Sequence, residues 1–437
     1  MRKLDVSISL KKRSEKVIPH LTQTFSRAAP AFVEGVYPVY AEKGNGSHFT
    51  DVDGNEYLDY LLGLGPITLG YNYSVVNNAI LNQLKNGILF SLPHKIEVEL
   101  SELLCQVIPN AEMVKLEKSG SNVVTGAVRA ARAITKKEKI AYCGSGGVWH
   151  DWYAAAISRD GGVPEFNKDL IKIFNYNDSD GLEQIFEDFP NQIGTIVLEP
   201  TVYEKPDTVF LKKIRQIADK NNAVLILDEI VTGFRFDLGG AQKYFDIKGD
   251  FVCFGKGMGN GLPIAAITGP SEFMKIFDKL WVSTTNGSEN LSIAGTISVV
   301  NEMKNNDTIS HCWKTGTKLL DGWNKLSSEY DVNAKMHGYP IRMTLSCHDS
   351  QKQDSPSMKS FILQEMVKQG IFMSAGPTFL SYSHSLEDVK FTLNTFENVC
   401  KFIKENITHD EYEKKLEGNL PKTIYKRTIL PTKKRLS

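Results

Sequence analysis

Short unbroken apolar runs alternate along this chain with longer stretches in which apolar residues recur every three or four positions. The first pattern marks strands buried on both faces, and the second marks helices with one buried stripe. Met113–Glu117, Ile140–Cys143, Leu170–Phe174, Gly194–Leu198, Ala223–Leu227 and Phe251–Phe254 read as strands, with Leu262–Thr268 as a further apolar run. Helical spacing covers 75–108, broken at Leu92-Pro93, then Val123–Ile134, Gly181–Phe189, Thr208–Asn221 and the region near Ser271–Leu280. In the first of these, Val98, Leu100, Leu103, Leu104 and Val107 form the expected buried face. Strands alternating with helices predict an α/β fold with a mostly parallel central sheet.

The two ends of the chain carry a different pattern. Residues 1–19 read as a basic, partly helical lead-in. Val36–Ala41 and His48–Asp51 read as strands joined at Gly44–Gly46, and Asp53-Gly54 is a hairpin signal. After one long helical pattern from Leu291 to about Ser328, Gly338–Ser346 and Ile371–Ser374 read as strands, and Met358–Gln369 and Leu386–Asn406 as helices. This predicts a smaller α+β domain at the C-terminus, 321–437, completed by the N-terminal segment 1–70, around a large domain over 71–320. The tail from Glu411 is rich in lysine and reads as a solvated or docking segment.

Composition narrows the function classes. With 437 residues the chain is long enough to bury a large core. Its 51 basic and 51 acidic residues cancel, which argues against nucleic acid or a membrane surface as partner. No stretch approaches the length of apolar residues that spans a bilayer, and the N-terminus lacks the apolar core of a secretory signal. Six scattered cysteines without a C-x-x-C pair read as reduced thiols, not as a zinc site. The expectation is a cytoplasmic protein acting on small molecules.

Candidate chemistry sits where the apolar runs end. Ligands in open α/β sheets bind beyond the carboxyl ends of strands. Ala223–Leu227 ends in Asp228-Glu229, and Phe251–Phe254 ends in the glycine-rich turn Gly255-Lys256-Gly257. A lysine amine condenses with a carbonyl, and a carboxylate beside a pyridine nitrogen keeps that nitrogen protonated. Together they describe a pyridoxal 5′-phosphate (PLP) site. Met113–Glu117 leads into Ser119-Gly120-Ser121-Asn122 and a helix, a strand–turn–helix arrangement suited to a phosphate. Each signal has a plainer reading when taken alone. LILDE also fits a magnesium-binding strand of an ATPase, but no G-x-x-x-x-G-K-[ST] accompanies it. GKGMG lacks the spacing of a dinucleotide fingerprint and otherwise reads as a solvated turn. Ser119 alone reads as a helix cap.

D-E-x-x-x-G-F-R from Asp228 with G-K-G at Lys256, and D-V-D-G-N-x-Y-x-D-Y from Asp51, resemble the class III aminotransferases and their relative glutamate-1-semialdehyde aminomutase. T-Q-T-F-S and E-G-V-Y-P-V-Y look nearer to a branch found with surface-polysaccharide genes. The resemblance implies the PLP-dependent transferase fold type I, with Lys256 holding the cofactor and Asp228 on its ring nitrogen. It also implies Ser119, Gly120 and Ser121 on the phosphate, Ile230 against one ring face and Glu199 of the E-P pair near the ring. Thr284 aligns with a threonine that binds the phosphate of the neighbouring subunit, which implies a homodimer with shared active sites. Arg27 aligns with an arginine that holds substrate carboxylate, and its plain alternative is a surface arginine.

Three departures accompany the resemblance. Asn122 replaces an acid; Ser145–Val148 replaces part of a G-x-Y-H-G turn whose aromatic stacks on the ring; and Ser288-Glu289 replaces an N-P pair. Trp149 is then the candidate for stacking, or else ordinary core. Residues 158–166 match a segment that covers the site. The implied activity is transfer of an amino group between an amino donor and a carbonyl acceptor, with a sugar-like or other specialised acceptor implied by the polysaccharide branch. The alternatives are a 2,1-aminomutase and a catalytically degenerate PLP binder.

Overall fold

The computed structural model describes residues 2–144, 148–157, 160–407 and 411–422. The expected turn at Ser145–Gly147, Ser158-Arg159 of the covering segment and the tail beyond Lys422 lie outside the described residues. The chain divides into two compact units, one made of the residues up to Ser74 with those from Asp307 on, the other of Val75–Asn306.

Strands β1 (Ala41–Asn45), β2 (His48–Asp51) and β3 (Glu56–Asp59) belong to the first unit. The second unit carries β4 (Met113–Glu117), β5 (Lys139–Cys143), β6 (Ile171–Ile173), β7 (Ile193–Leu198), β8 (Val224–Asp228), β9 (Phe251–Phe254) and β10 (Ala265–Gly269). The chain returns to the first unit with β11 (Ala334–Tyr339), β12 (Arg342–Cys347), β13 (Ile371–Phe372) and β14 (Pro377–Phe379).

In the second unit the seven strands β4–β10 form one sheet in the order β4-β10-β9-β8-β7-β5-β6. β10 is antiparallel to both neighbours, and the remaining pairs are parallel. Every residue of β7 and β9 is buried, which explains why these strands read as continuous apolar runs. The helix Gly120–Thr135 packs on the sheet through Val123, Val124, Ala127, Val128, Ala130 and Ala131, all buried. The helix Phe210–Lys220 buries Phe210, Leu211, Ile214, Ile217 and Ala218, a stripe at helical spacing. One topological consequence matters for function. β4, β5, β7, β8 and β9 all point the same way, so Ser119, Gly144, Glu199, Asp228 and Lys256 follow the same edge of the sheet.

The first unit holds two smaller sheets. β1, β2 and β3 form a meander extended by β13, which pairs in parallel with β3. β11, β12 and β14 form an antiparallel sheet. The helices Thr308–Glu329, Pro356–Lys368 and Leu386–Asn406 complete the unit, and Trp323 stacks on Phe396 with ring centroids 3.5 Å apart.

Several expectations need correction. Val36–Ala41 is not a strand: the N–H groups of Val36 and Tyr37 both bond to the Val33 carbonyl, Pro38 has none to give, and pairing begins at Ala41. The pattern from Leu291 to Ser328 is two helices, Asn290–Asn305 and Thr308–Glu329. The break falls at Asn306-Asp307, residue types that compete with the helix for backbone hydrogen bonds. The division between units follows it at Asp307, rather than at 321. Gly338–Ser346 is a hairpin, with β11 and β12 paired from Ala334–Cys347 to Tyr339–Arg342. Val98 is exposed, and Ile96 takes its place beside Leu100, Leu103 and Leu104.

Candidate active site

The site is built where β8 and β9 end. Their register sets Asp228 beside Cys253, three residues before Lys256. Asp228 is half-buried, and one carboxylate oxygen accepts the Ile230 N–H at 3.1 Å. Lys256 opens a short 3-10 turn with φ +35°, a left-handed conformation that costs a non-glycine residue on the order of 1 kcal/mol. That turn ends the strand direction and fixes the lysine backbone at the sheet edge.

Ile230 joins the separate pieces. A Cβ placed on Gly120 would lie 3.1 Å from Ile230 side-chain atoms, and one placed on Gly255 would lie 3.2 Å from them. The isoleucine therefore packs between the start of the helix Gly120–Thr135 and the residue before Lys256. Glycine at both positions leaves space that any side chain would fill.

Ser119 caps the sixteen-residue helix Gly120–Thr135: its hydroxyl accepts the Asn122 N–H at 3.3 Å and donates to the Asn122 side-chain oxygen at 3.0 Å. Asn122 thus serves the cap. The plain reading of Ser119 holds, and it is compatible with anion binding, because the same helix end carries positive dipole.

The ends of β5 and β7 supply the next wall. The Glu199 N–H donates to the Cys143 carbonyl at 3.0 Å, and its side chain is buried. A Cβ on Gly144 would meet the Tyr142 hydroxyl at 2.5 Å and the Glu199 Cβ at 3.5 Å. Burial, and then Tyr153, Asp228 and Glu199, push the Tyr142 hydroxyl far above the usual phenol range. Burial and Asp228 likewise raise the Cys253 thiol. Asp228, Glu199, Tyr142 and Cys253 therefore share one electrostatic environment.

Trp149 is 74 % exposed, so its reading as ordinary core fails; Trp152 and Tyr153 are the buried aromatics of this segment. Its ring meets His150 edge-on at 4.5 Å. The Thr284 hydroxyl donates to the buried Glu117 carboxylate at 2.8 Å, within its own chain. Glu289, of the Ser288-Glu289 departure, caps the helix Asn290–Asn305 and pairs with Lys118 at 3.1 Å. Burial opposes ionisation of Glu289, yet the bonds from Ser292, Lys118 and Leu291 hold its carboxyl below the ordinary value. Arg27 belongs to the first unit, where its guanidinium donates to the Gly63 carbonyl at 3.1 Å.

Sequence reasoning passed over Glu229. It is fully buried and accepts from the Thr232 hydroxyl, from the Ala241 N–H at 2.9 Å and from the Gln242 N–H at 2.5 Å. Burial raises its pKa to about 7 against those three donors, with Asp228 adding to the rise. The charged pair Asp228-Glu229 at a strand end was the only available signal, since the partners lie a dozen residues on.

A carboxylate, a lysine in the turn after the adjacent strand, a helix N-terminus and glycine-lined space around Ile230 match a phosphorylated pyridine aldehyde in donor chemistry. Residues 31–388 match the family described as aminotransferase class-III. The 3-aminobutyryl-CoA aminotransferase of Cloacimonas acidaminovorans (strain Evry) is 32% identical over 412 residues, covering 92% of this chain and 98% of that one. The glutamate-1-semialdehyde 2,1-aminomutase of Alkaliphilus oremlandii (strain OhILAs) is 31% identical over 419 residues, covering 90% and 97%. Among solved structures, an omega-transaminase from Sphaerobacter thermophilus superposes with a TM-score of 0.81 at 23% identity, covering 90% of this chain and 97% of its own. This chain belongs to the class III aminotransferases.

Proposed function

We propose that this member of the class III aminotransferases transfers an amino group from an amino donor to a carbonyl compound, with pyridoxal phosphate as its cofactor. The observation that carries the reading is the packing of Ile230 against both Gly120 and Gly255, with Asp228 at the end of β8 and Lys256 in the turn that follows the adjacent strand β9. When bound, the cofactor supplies an aldehyde that condenses with amines and a protonated ring that accepts electrons from the substrate carbon. Asp228 holds the proton on the ring nitrogen. The Lys256 amine would hold the cofactor at its aldehyde carbon and would serve as the base that moves a proton to and from the substrate carbon.

Ser119, Gly120 and Ser121 would hold the phosphate, Ile230 and Trp149 would pack against the ring, and Glu199 would lie near it. Thr284 reaches the phosphate of a second copy, and Arg27 holds the substrate carboxylate. The working unit is a homodimer. In support, Leu81, Leu84, Ile88, Leu89, Phe90 and Leu92 each leave 40% or more of their surface exposed within twelve residues. No disulfide joins cysteines among the described residues, in keeping with a cytoplasmic location. The acceptor is a sugar-like or otherwise specialised carbonyl compound.

The test supplies a panel of amino donors and carbonyl acceptors to the cofactor-loaded protein and follows products by mass spectrometry. Release of a keto product with amination of the acceptor is the expected result. Migration of the amino group within one substrate, with nothing released, would replace this reading by the aminomutase one. Bound cofactor unchanged by every amine would leave only a binding protein.

A further inference from the structure

We infer that Lys118 and Glu289 are positioning residues for the cofactor: their ion pair is the clasp that fixes the turn Ser119–Ser121 against the segment 281–289. The inference rests on the reading above that this turn holds the phosphate.

The segment runs along the helix Gly120–Thr135 and on past its first residue. The Arg129 guanidinium donates to the Trp281 carbonyl at 2.8 Å. A Cβ on Gly126, nearer the helix start, would lie 3.1 Å from the Val282 side chain. The Thr284 hydroxyl donates to Glu117 at 2.8 Å. A Cβ on Gly287 would lie 3.7 Å from the Leu116 carbonyl oxygen. The Lys118 ammonium then meets the Glu289 carboxylate at 3.1 Å. Leu116, Glu117 and Lys118 lead directly into Ser119, and all three touch this one stretch of chain.

The pair is well supported. Its side chains are only 17% and 18% exposed, so water and salt screen it little. Taking a carboxylate out of water is costly unless its lone pairs are filled. Glu289 fills them. Besides Lys118 it accepts from the Leu291 N–H at 2.6 Å, the Ser292 N–H at 3.3 Å and the Ser292 hydroxyl at 2.6 Å. Glu289 thereby caps the helix Asn290–Asn305, while Lys118 immediately precedes Ser119, the cap of the helix Gly120–Thr135. The clasp joins the N-terminal ends of two sixteen-residue helices, and its acid is the one that the departure Ser288-Glu289 brings to this chain. Lys118 acts in two ways. It seats the segment on the residues that carry the turn. Its charge also offsets that of Glu289, which would otherwise repel a phosphate at the neighbouring helix end.

The test reads the clasp and its purpose separately. Hydrogen exchange of the cofactor-free protein, followed by mass spectrometry, reports the clasp. Lys118→Met should exchange faster than wild type in peptides covering 116–124 and 284–292, and Lys118→Arg should match wild type. Absorbance titrations with pyridoxal phosphate and with pyridoxal, which lacks the phosphate, report the purpose. Lys118→Met should bind pyridoxal phosphate about tenfold more weakly, and Lys118→Arg within about twofold of wild type. All three should bind pyridoxal within about twofold of one another. Adding Glu289→Gln to Lys118→Met should recover part of the loss, because the unpaired charge is then gone. Unchanged exchange or unchanged pyridoxal phosphate affinity in Lys118→Met, equal losses for the two ligands, or a double variant weaker than the single one would overturn this inference alone. A wild type that takes up no pyridoxal phosphate would overturn the proposed function, and with it the phosphate assigned to the turn.

Discussion

Glu229 makes the stability of the protein depend on pH in a direction opposite to that of a carboxylate held charged by its partners in the fold. Its pKa rises from 4.5 to about 7 on folding, chiefly through burial. The folded state therefore binds more protons than the unfolded state between those values, and stability falls as pH rises through that window. The shift of roughly 2.5 units corresponds to about 3 kcal/mol at ~1.4 kcal/mol per unit. Other groups titrate in the same range. His384 is held down to about 4 by burial, and that contribution is lost as pH falls below the ordinary histidine value. The Glu229→Gln variant isolates the glutamate. Its amide cannot titrate, and its NH2 must face either the Ala241 or the Gln242 N–H, a mismatch costing about 1–3 kcal/mol. Urea unfolding followed by circular dichroism at pH 5, 6, 7 and 8 should find the variant less stable at pH 5. The gap should then shrink, or reverse, by about 2–3 kcal/mol by pH 8. A gap that is constant across the range, or that widens with pH, would refute the reasoning.

Gly240 has φ +81°, and a Cβ there would lie 2.7 Å from the Glu229 carboxylate, so Gly240→Ala should destabilise by about 2–3 kcal/mol in thermal unfolding. Trp323→Ala removes a fully buried ring stacked on Phe396 and should cost about 3–5 kcal/mol by the same assay. Gly120→Ala should weaken pyridoxal phosphate binding, because its Cβ meets Ile230 at 3.1 Å; adding Ile230→Ala should recover part of the loss, and strictly additive effects would show that the two residues do not share the site.

The central strands of the sheet were legible because they are buried along nearly their whole length, as in β7, β8 and β9. Phe251–Phe254 and Met113–Glu117 end where the apolar runs end. The helix Leu386–Asn406 was legible from its period, and the structure adds Ser385, which caps it in a reciprocal box with Asp388. The misread segments are those where one residue overrides a pattern. Pro38 denies a donor to a stretch that alternates like a strand, and Asn306-Asp307 interrupts a stripe that otherwise continues. Val98 has the spacing of a core residue yet faces outward, since periodicity marks a stripe without fixing its edge. At the site, Asp228 and Lys256 could be found because strand ends and glycine turns are local features. The bonds of Glu229 to Ala241 and Gln242, and of Lys118 to Glu289, join residues 12 to 171 positions apart across the fold, and no local pattern announces them.

The most direct test of the central claim is to incubate the protein with pyridoxal phosphate, reduce it with borohydride and map the modified peptide by mass spectrometry. The account predicts one pyridoxyl group per chain, carried on Lys256, an absorption band that is lost on addition of a productive amine, and neither feature in Lys256→Ala. Stable modification at another lysine, or none at all in the wild type, would contradict it.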